Sequence, residues 1–288
     1  MAEVSLDIVS EFEGYFKNYN EKELVRDFFN FISEGVADEP FYLTLLQRTK
    51  YLTTEERSLY SNNSNMLDIK LYQANKFYSN FDNYYRNIAR FNCDETAYLG
   101  KDGKPLPTIC KATYAGINPV DLSVARKNYM KELGDLEYRA KTREALELVY
   151  AKMPRLFLKN CTRSRSKKRI VDIDVDIDEN LITDEVRRRC FEYFLLLLKN
   201  NVPDSGLDDI LLVFTKGGFH ILSKTRSFNR YWHTGTITLL AAEAFEGFTK
   251  EIKENKNEMC PLPGTLQCGF MVNCVKVKEF ARLNEMEI

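Results

Sequence analysis

The chain has 288 residues, 44% hydrophobic and 29% charged, which is enough apolar material for one large domain or two modest ones under an ordinary polar surface. Forty-one Lys and Arg against 42 Asp and Glu leave a formal charge of −1, which excludes a uniformly basic nucleic-acid-binding coat and leaves room for a local basic patch. No run approaches the ~20 apolar residues of a membrane span, so no membrane partner is expected.

The opening MAEVSLDIVSEFEGYF lacks the basic start and apolar stretch of a secretory signal. Seven cysteines contain no CxxC pair and the chain has two histidines, which disfavours a zinc finger. Free thiols in a reducing compartment, cytoplasm or nucleus, are the expectation.

In chain order, EKELVRDFFNFISEG spaces Leu24, Val25, Phe28, Phe29 and Ile32 as the apolar stripe of an amphipathic helix, with Gly35 as its C-cap. Ser64 to Phe91 reads as one or two further helices. Asp102-Gly103 is a hairpin signal between short β-prone runs. SVARKNYMKELGDLEYRAKTREALELVYAKM is helical with an interruption near Gly134. Residues 1–160 are thus expected to form a mainly helical N-terminal region, its Tyr and Phe residues serving as core or as a base-stacking platform.

Residues 161–288 differ in character. CTRSRSKKR sets Arg163, Arg165, Lys167, Lys168 and Arg169 before IVDIDVDID, in which aliphatic residues alternate with Asp172, Asp174, Asp176 and Asp178. A strand sends alternate side chains to opposite faces, so one face is apolar and the other a ladder of carboxylates spaced about 7 Å apart. TDEVRRRCFEYFLLLLKNN is a helix N-capped by Thr183. DDILLVF and FHILSKT are paired strands turned by Lys216-Gly217-Gly218. RYWHTGTITLLAAEAFEGFTKEIKENK is helical in its later part, PLPGTLQCGF is a loop, and MVNCVKVKEF alternates as a last strand. The fold class is mixed α/β, with β-α-β-β followed by helix and strand.

Like charges at ladder spacing require a positive partner. An EF-hand needs a glycine at its sixth position and a loop between helices, which this run lacks. A solvated edge strand would explain the charges without chemistry. Carboxylates two apart on a rigid strand are also what a magnesium or manganese site uses, since both point the same way. The double glycine lets backbone amides approach a phosphate, and His220 can donate to one. The basic run suits a nucleic-acid backbone or a solvated charge patch.

The order DxD strand, helix, strand, Gly-rich turn with His, and late P-x-P-G-T loop, over roughly residues 168–280, resembles the archaeo-eukaryotic primase superfamily. That family comprises primase small catalytic subunits and the primase-polymerases of viruses and mobile elements. Its hhhDhD motif is matched by IVDID, its SxH by GFH with Gly218 in place of Ser, and its late PFS or PGS loop by PLPGTLQCGF.

The resemblance implies a primase-type catalytic α/β core that makes short primers on a single-stranded DNA template from nucleoside triphosphates. Asp172 and Asp174, with Glu251 as the third acid and Glu246 and Glu254 as alternatives, would bind two Mg2+ or Mn2+ ions. Lys216, Gly217, Gly218 and His220 would hold the triphosphate, with Lys224 or Arg226 as further candidates and Thr265 and Gln267 as polar contacts. The run Arg163 to Arg169 would meet template DNA, and a replicative helicase or accessory primase subunit would be a further partner. The rival expectations are another metal-dependent nucleotidyltransferase or nuclease, and a non-catalytic replication subunit.

Overall fold

The structure, a computed structural model, describes residues 21–50, 52–60, 66–73, 76, 80–83, 105–164, 168–178, 180–181, 183–226 and 233–278. The chain is mixed α/β and divides into two units, Ile32–Lys168 and a discontinuous one made of Met1–Phe31 with Arg169–Ile288. The boundary expected at 160/161 falls between Lys168 and Arg169, and Glu21–Phe31 belong with the segment that begins at Arg169.

In the unit Ile32–Lys168, strand β1 (Pro40–Gln47) pairs antiparallel with β2 (Met66–Gln73) on one side and β3 (Lys111–Gly116) on the other. A three-stranded antiparallel arrangement thus stands among the helices of the region expected to be mainly helical. PFYLTLLQ, unassigned by the sequence reading, is a buried central strand with Pro40 at its first position, where a missing N–H is tolerated. MLDIKLYQ, expected as helix from Ser64, is a strand instead. Its short apolar set fits either period, and pairing with β1 decides, as cross-strand packing commonly overrides local preference. Phe41 stacks on Tyr72, with ring centroids 6.1 Å apart. Asp102-Gly103 lies outside the described residues.

Helix α2 (Thr54–Tyr60) separates β1 from β2. Beyond β3 come α3 (Leu122–Arg139), α4 (Arg143–Ala151) and α5 (Met153–Arg163). Asp121 caps α3 by accepting from the Val124 N–H. The helix runs through Gly134 without the expected interruption, because a cap and tertiary contacts outweigh the ~1 kcal/mol that a helical glycine costs. Those contacts include Tyr129 edge-on to Phe157 and Lys159 on Glu132 at 2.7 Å.

The discontinuous unit begins with α1 (Glu21–Ser33) and resumes at β4 (Ile170–Ile177), α6 (Asp184–Asn201) and α7 (Asp204–Leu207). Strands β5 (Ile210–Thr215) and β6 (Gly218–Lys224) form a hairpin, followed by α8 (His233–Ala244) and β7 (Thr249–Glu254). The remaining strands are β8 (Met259–Pro261), the two-residue pair β9 (Leu266–Gln267) and β10 (Phe270–Met271), and β11 (Asn273–Lys276). The antiparallel sheet has the order β11-β5-β6-β4-β7. TKEIKE, expected within a helix, is the edge strand β7. Only Ile252 of its residues is apolar, and the open edge of β4 provides its pairing.

Val171, Ile173, Val175 and Ile177 of β4 join Phe219 and Ile221 of β6 on one sheet face, under Phe191, Phe194 and Leu198 of α6 and Ile237 and Ala241 of α8. Phe191, Phe219 and Phe245 meet with centroids 4.5–5.1 Å apart. Burial of such side chains stabilises by roughly 1.5–3 kcal/mol each. This face fixes the strands rigidly, and the opposite face receives every second residue.

Candidate active site

The even-numbered residues of β4 define that opposite face. Register places His220 of β6 and Lys253 of β7 directly across from Asp174, and Gly218 and Glu251 across from Asp176. Paired residues share a face, so three strands deliver Asp172, Asp174, Asp176, His220, Glu251 and Lys253 to one surface. The side chain of Asp172 is fully buried, whereas those of Asp174 and Asp176 are 24% and 25% exposed. Depth thus distinguishes three carboxylates that the sequence shows as equivalent.

His220 and Lys253 are the positive partners that the ladder requires. His220 Nδ1 lies 2.9 and 3.1 Å from the two oxygens of Asp172, and Nε2 lies 3.6 Å from Asp174 Oδ1. Burial opposes charge on the ring, but Asp172, Asp174 and Asp176 overcome it and hold His220 at a pKa of about 9. The ring is therefore an imidazolium near neutrality, with a proton on each nitrogen. Asp174 is held above the usual carboxylate range, by burial first and by Asp176 and Asp172 next, against the pull of His220. Its contact with the ring is too long for a hydrogen bond, so desolvation prevails. Lys253 Nζ bonds Glu251 and stands 4.0 Å from Asp176 Oδ2.

Asp172 is enclosed by Asn255, whose Nδ2 donates to Asp172 Oδ2 at 2.7 Å and to the Met259 carbonyl at 2.9 Å. Cys260 is buried here, and burial followed by the fields of Asp172 and Asp174 pushes its thiol well up, so it stays protonated. Asp178 lies beyond the end of β4, where a hydrogen bond from the Asn180 backbone holds its carboxyl down and Lys250 approaches to 3.2 Å.

The expected triphosphate contacts separate. The Lys216 N–H donates to Gln267 Oε1 at 2.8 Å and its Nζ to the Cys268 carbonyl at 3.0 Å, so Lys216 and Gln267 meet at the β5–β6 turn. Gly217 offers its carbonyl to the Ile177 N–H at 2.9 Å. At Gly218, with φ +153°, a Cβ would stand 1.9 Å from the Val175 carbonyl oxygen, so close strand approach accounts for this glycine.

Lys224 shares the ladder's face but lies four residues from His220, about 13 Å along the strand. Its Nζ sits 3.6 Å from Asp209 and 4.3 Å from the centre of the Phe31 ring, and Arg226 bonds the same aspartate. Thr265 is buried and donates to the Leu262 carbonyl. The preceding Gly264, with φ +75°, brings its turn within 2.1 Å (from a would-be Cβ) of the Glu21 carbonyl of α1.

Arg163 ends α5, Lys168 closes the unit Ile32–Lys168 and Arg169 begins the second segment of the other unit; Arg165 and Lys167 lie outside the described residues. Asp176, Lys253 and Asn255 were missing from the sequence-derived site. The same-face alternation Glu251, Lys253, Asn255 would have revealed the last two once KEIKEN was read as a strand. Among the described residues, no helix is long and apolar enough to cross a membrane. Searches against protein-family models, curated proteins and solved structures return no match for this chain.

Proposed function

We propose that this chain is a DNA primase or primase-polymerase, a metal-dependent nucleotidyltransferase that makes short primers on single-stranded DNA. One observation carries the reading: a histidine braced by a buried carboxylate adjoins two partly exposed carboxylates on a rigid sheet. That is a place where a cation and a polyphosphate can be held side by side. The order of the DxD, GFH and PGT motifs supports the same class.

Among the described residues, no three His, Cys, Asp or Glu side chains enclose a metal ion. Mg2+, however, is ordinarily held by one or two carboxylates together with substrate phosphates and water rather than by a protein cage. Asp174 and Asp176 fit that role, with Glu251 across from Asp176 as the third acid. A bound ion would supply Lewis-acid activation of a primer 3′-hydroxyl and charge neutralisation at the phosphates. For the chain's own part, His220 presents Nε2–H towards the phosphates. The β5–β6 turn bearing Lys216 flanks the Asp176 end of the ladder. Lys253 neutralises the carboxylates, a charge role that a bound cation would share.

The test is primer synthesis on single-stranded DNA with labelled nucleoside triphosphates and Mn2+, with wild type compared with Asp174→Asn/Asp176→Asn. Short products from wild type that vanish in the double variant are expected. No products from wild type, or equal products from both, would overturn the reading; cleavage of the template would favour a nuclease.

A further inference from the structure

Asp172 is the first aspartate of the DxD run, yet its surroundings differ from those of its neighbours. Its side chain has no exposed surface, and its register partner on β6 is the apolar Leu222. Both carboxylate oxygens approach His220 Nδ1, and Oδ2 also accepts from Asn255. The Asn255 N–H donates to the Asp172 carbonyl at 2.8 Å, so backbone and side chain of one residue are clamped by the other. A divalent cation at Asp172 would have to shed its water and break these bonds in a buried setting, which is costly.

We propose that Asp172 is a positioning residue for His220 and not a cation ligand. By holding Nδ1, it fixes the ring plane and aims Nε2 at the Asp174–Asp176 end of the ladder, where the triphosphate of an incoming nucleotide would lie. Two ring nitrogens with distinct partners are the usual means of orienting a functional histidine. Asn255 completes the clamp from the turn after β7. The inference rests on the nucleotidyl-transfer reading and assigns different work to two aspartates that the motif treats as a pair.

The experiment separates nucleotide from cation. Binding of a fluorescent nucleoside triphosphate is measured in EDTA, and primer synthesis is titrated with Mn2+, for wild type, Asp172→Asn, His220→Gln, their double variant and Asp174→Asn. Asp172→Asn and His220→Gln should each weaken metal-free triphosphate binding about tenfold, and the double variant no further, because they remove one interaction. At saturating nucleoside triphosphate, the Mn2+ concentration for half-maximal synthesis should not change in Asp172→Asn. It should rise, or synthesis should vanish, in Asp174→Asn.

Asn255→Ser loosens the clamp without touching the ladder. It should weaken triphosphate binding about two- to threefold, and it carries the test if Asp172→Asn fails to fold. Wild-type triphosphate binding in Asp172→Asn, or a raised Mn2+ requirement matching that of Asp174→Asn, would overturn this inference alone. A wild-type chain that neither binds triphosphate nor synthesises primers would overturn the functional reading and this inference with it.

Discussion

His220 stands directly across the β4–β6 register from Asp174, yet it hydrogen-bonds Asp172, one step back along the strand. The ring leans towards the buried carboxylate because that contact is dry and close, whereas Asp174 remains partly hydrated. Protonation and folding are consequently linked. The His220 pKa is raised from 6.5 to about 9, so its stabilising contribution is complete below about 6.5 and is lost as pH rises through about 9. Asp172, Asp174, Asp176 and Lys253 are the charges facing it. The melting temperature should fall between pH 7 and 9.5, and His220→Gln should flatten that fall. A melting temperature independent of pH over this window in wild type would contradict the linkage.

Asp174 has the opposite energetic sign. Its raised pKa means that the fold disfavours its charge at neutral pH. Asp174→Asn should therefore stabilise the metal-free protein by on the order of 1 kcal/mol, in the manner of functional residues that are held at a cost to the fold. Differential scanning calorimetry at pH 7.5 would check it. The same variant should lose any Mn2+-dependent rise in melting temperature that wild type displays.

Gly218 gives a prediction independent of function. A Cβ at this position would overlap the Val175 carbonyl, and that backbone is pinned by pairing on both sides of β4. Gly218→Ala should cost about 3 kcal/mol or more, or prevent folding. Gly134→Ala, which meets nothing within 4 Å, should instead stabilise by roughly 0.4–1 kcal/mol. Chemical denaturation of the two variants side by side would show this contrast.

Lys224 and Asp209 form a buried pair, with side chains 10% and 4% exposed. Asp209→Ala would strand the ammonium in that setting and should cost about 3–5 kcal/mol. Lys224→Met keeps the stem near Phe31 and should cost less than about 1.5 kcal/mol. If Lys224 served the triphosphate instead, Lys224→Met would impair nucleotide binding while Asp209→Ala would leave stability nearly intact. Urea unfolding and triphosphate binding distinguish the two cases.

The β4 ladder was legible from residues 170–177 because a period of two over eight residues has one structural meaning. The β5–β6 hairpin and α6 were legible for similar local reasons. The division of labour among the aspartates was not, since His220 and Asn255 lie 48 and 83 residues from Asp172 and no local pattern forecasts which carboxylate they reach. MLDIKLYQ and TKEIKE were misread because their few apolar residues suit either period, and only a neighbouring strand edge settles the matter. The double glycine of KGGFH invited a phosphate reading, although Gly218 sits where another strand's backbone leaves no room for a Cβ.

The carbonyl of Leu24 on α1 and the thiol of Cys274 on β11 meet across 250 residues of sequence. A ribosome adding about 5–20 residues per second delivers the second partner on the order of 10–50 s after the first. During that interval the apolar stripe Leu24, Val25, Phe28 and Phe29 has no finished sheet to pack on, which is the kind of surface that chaperones hold. Helix α1 is thus made well before the strand that helps to seat it.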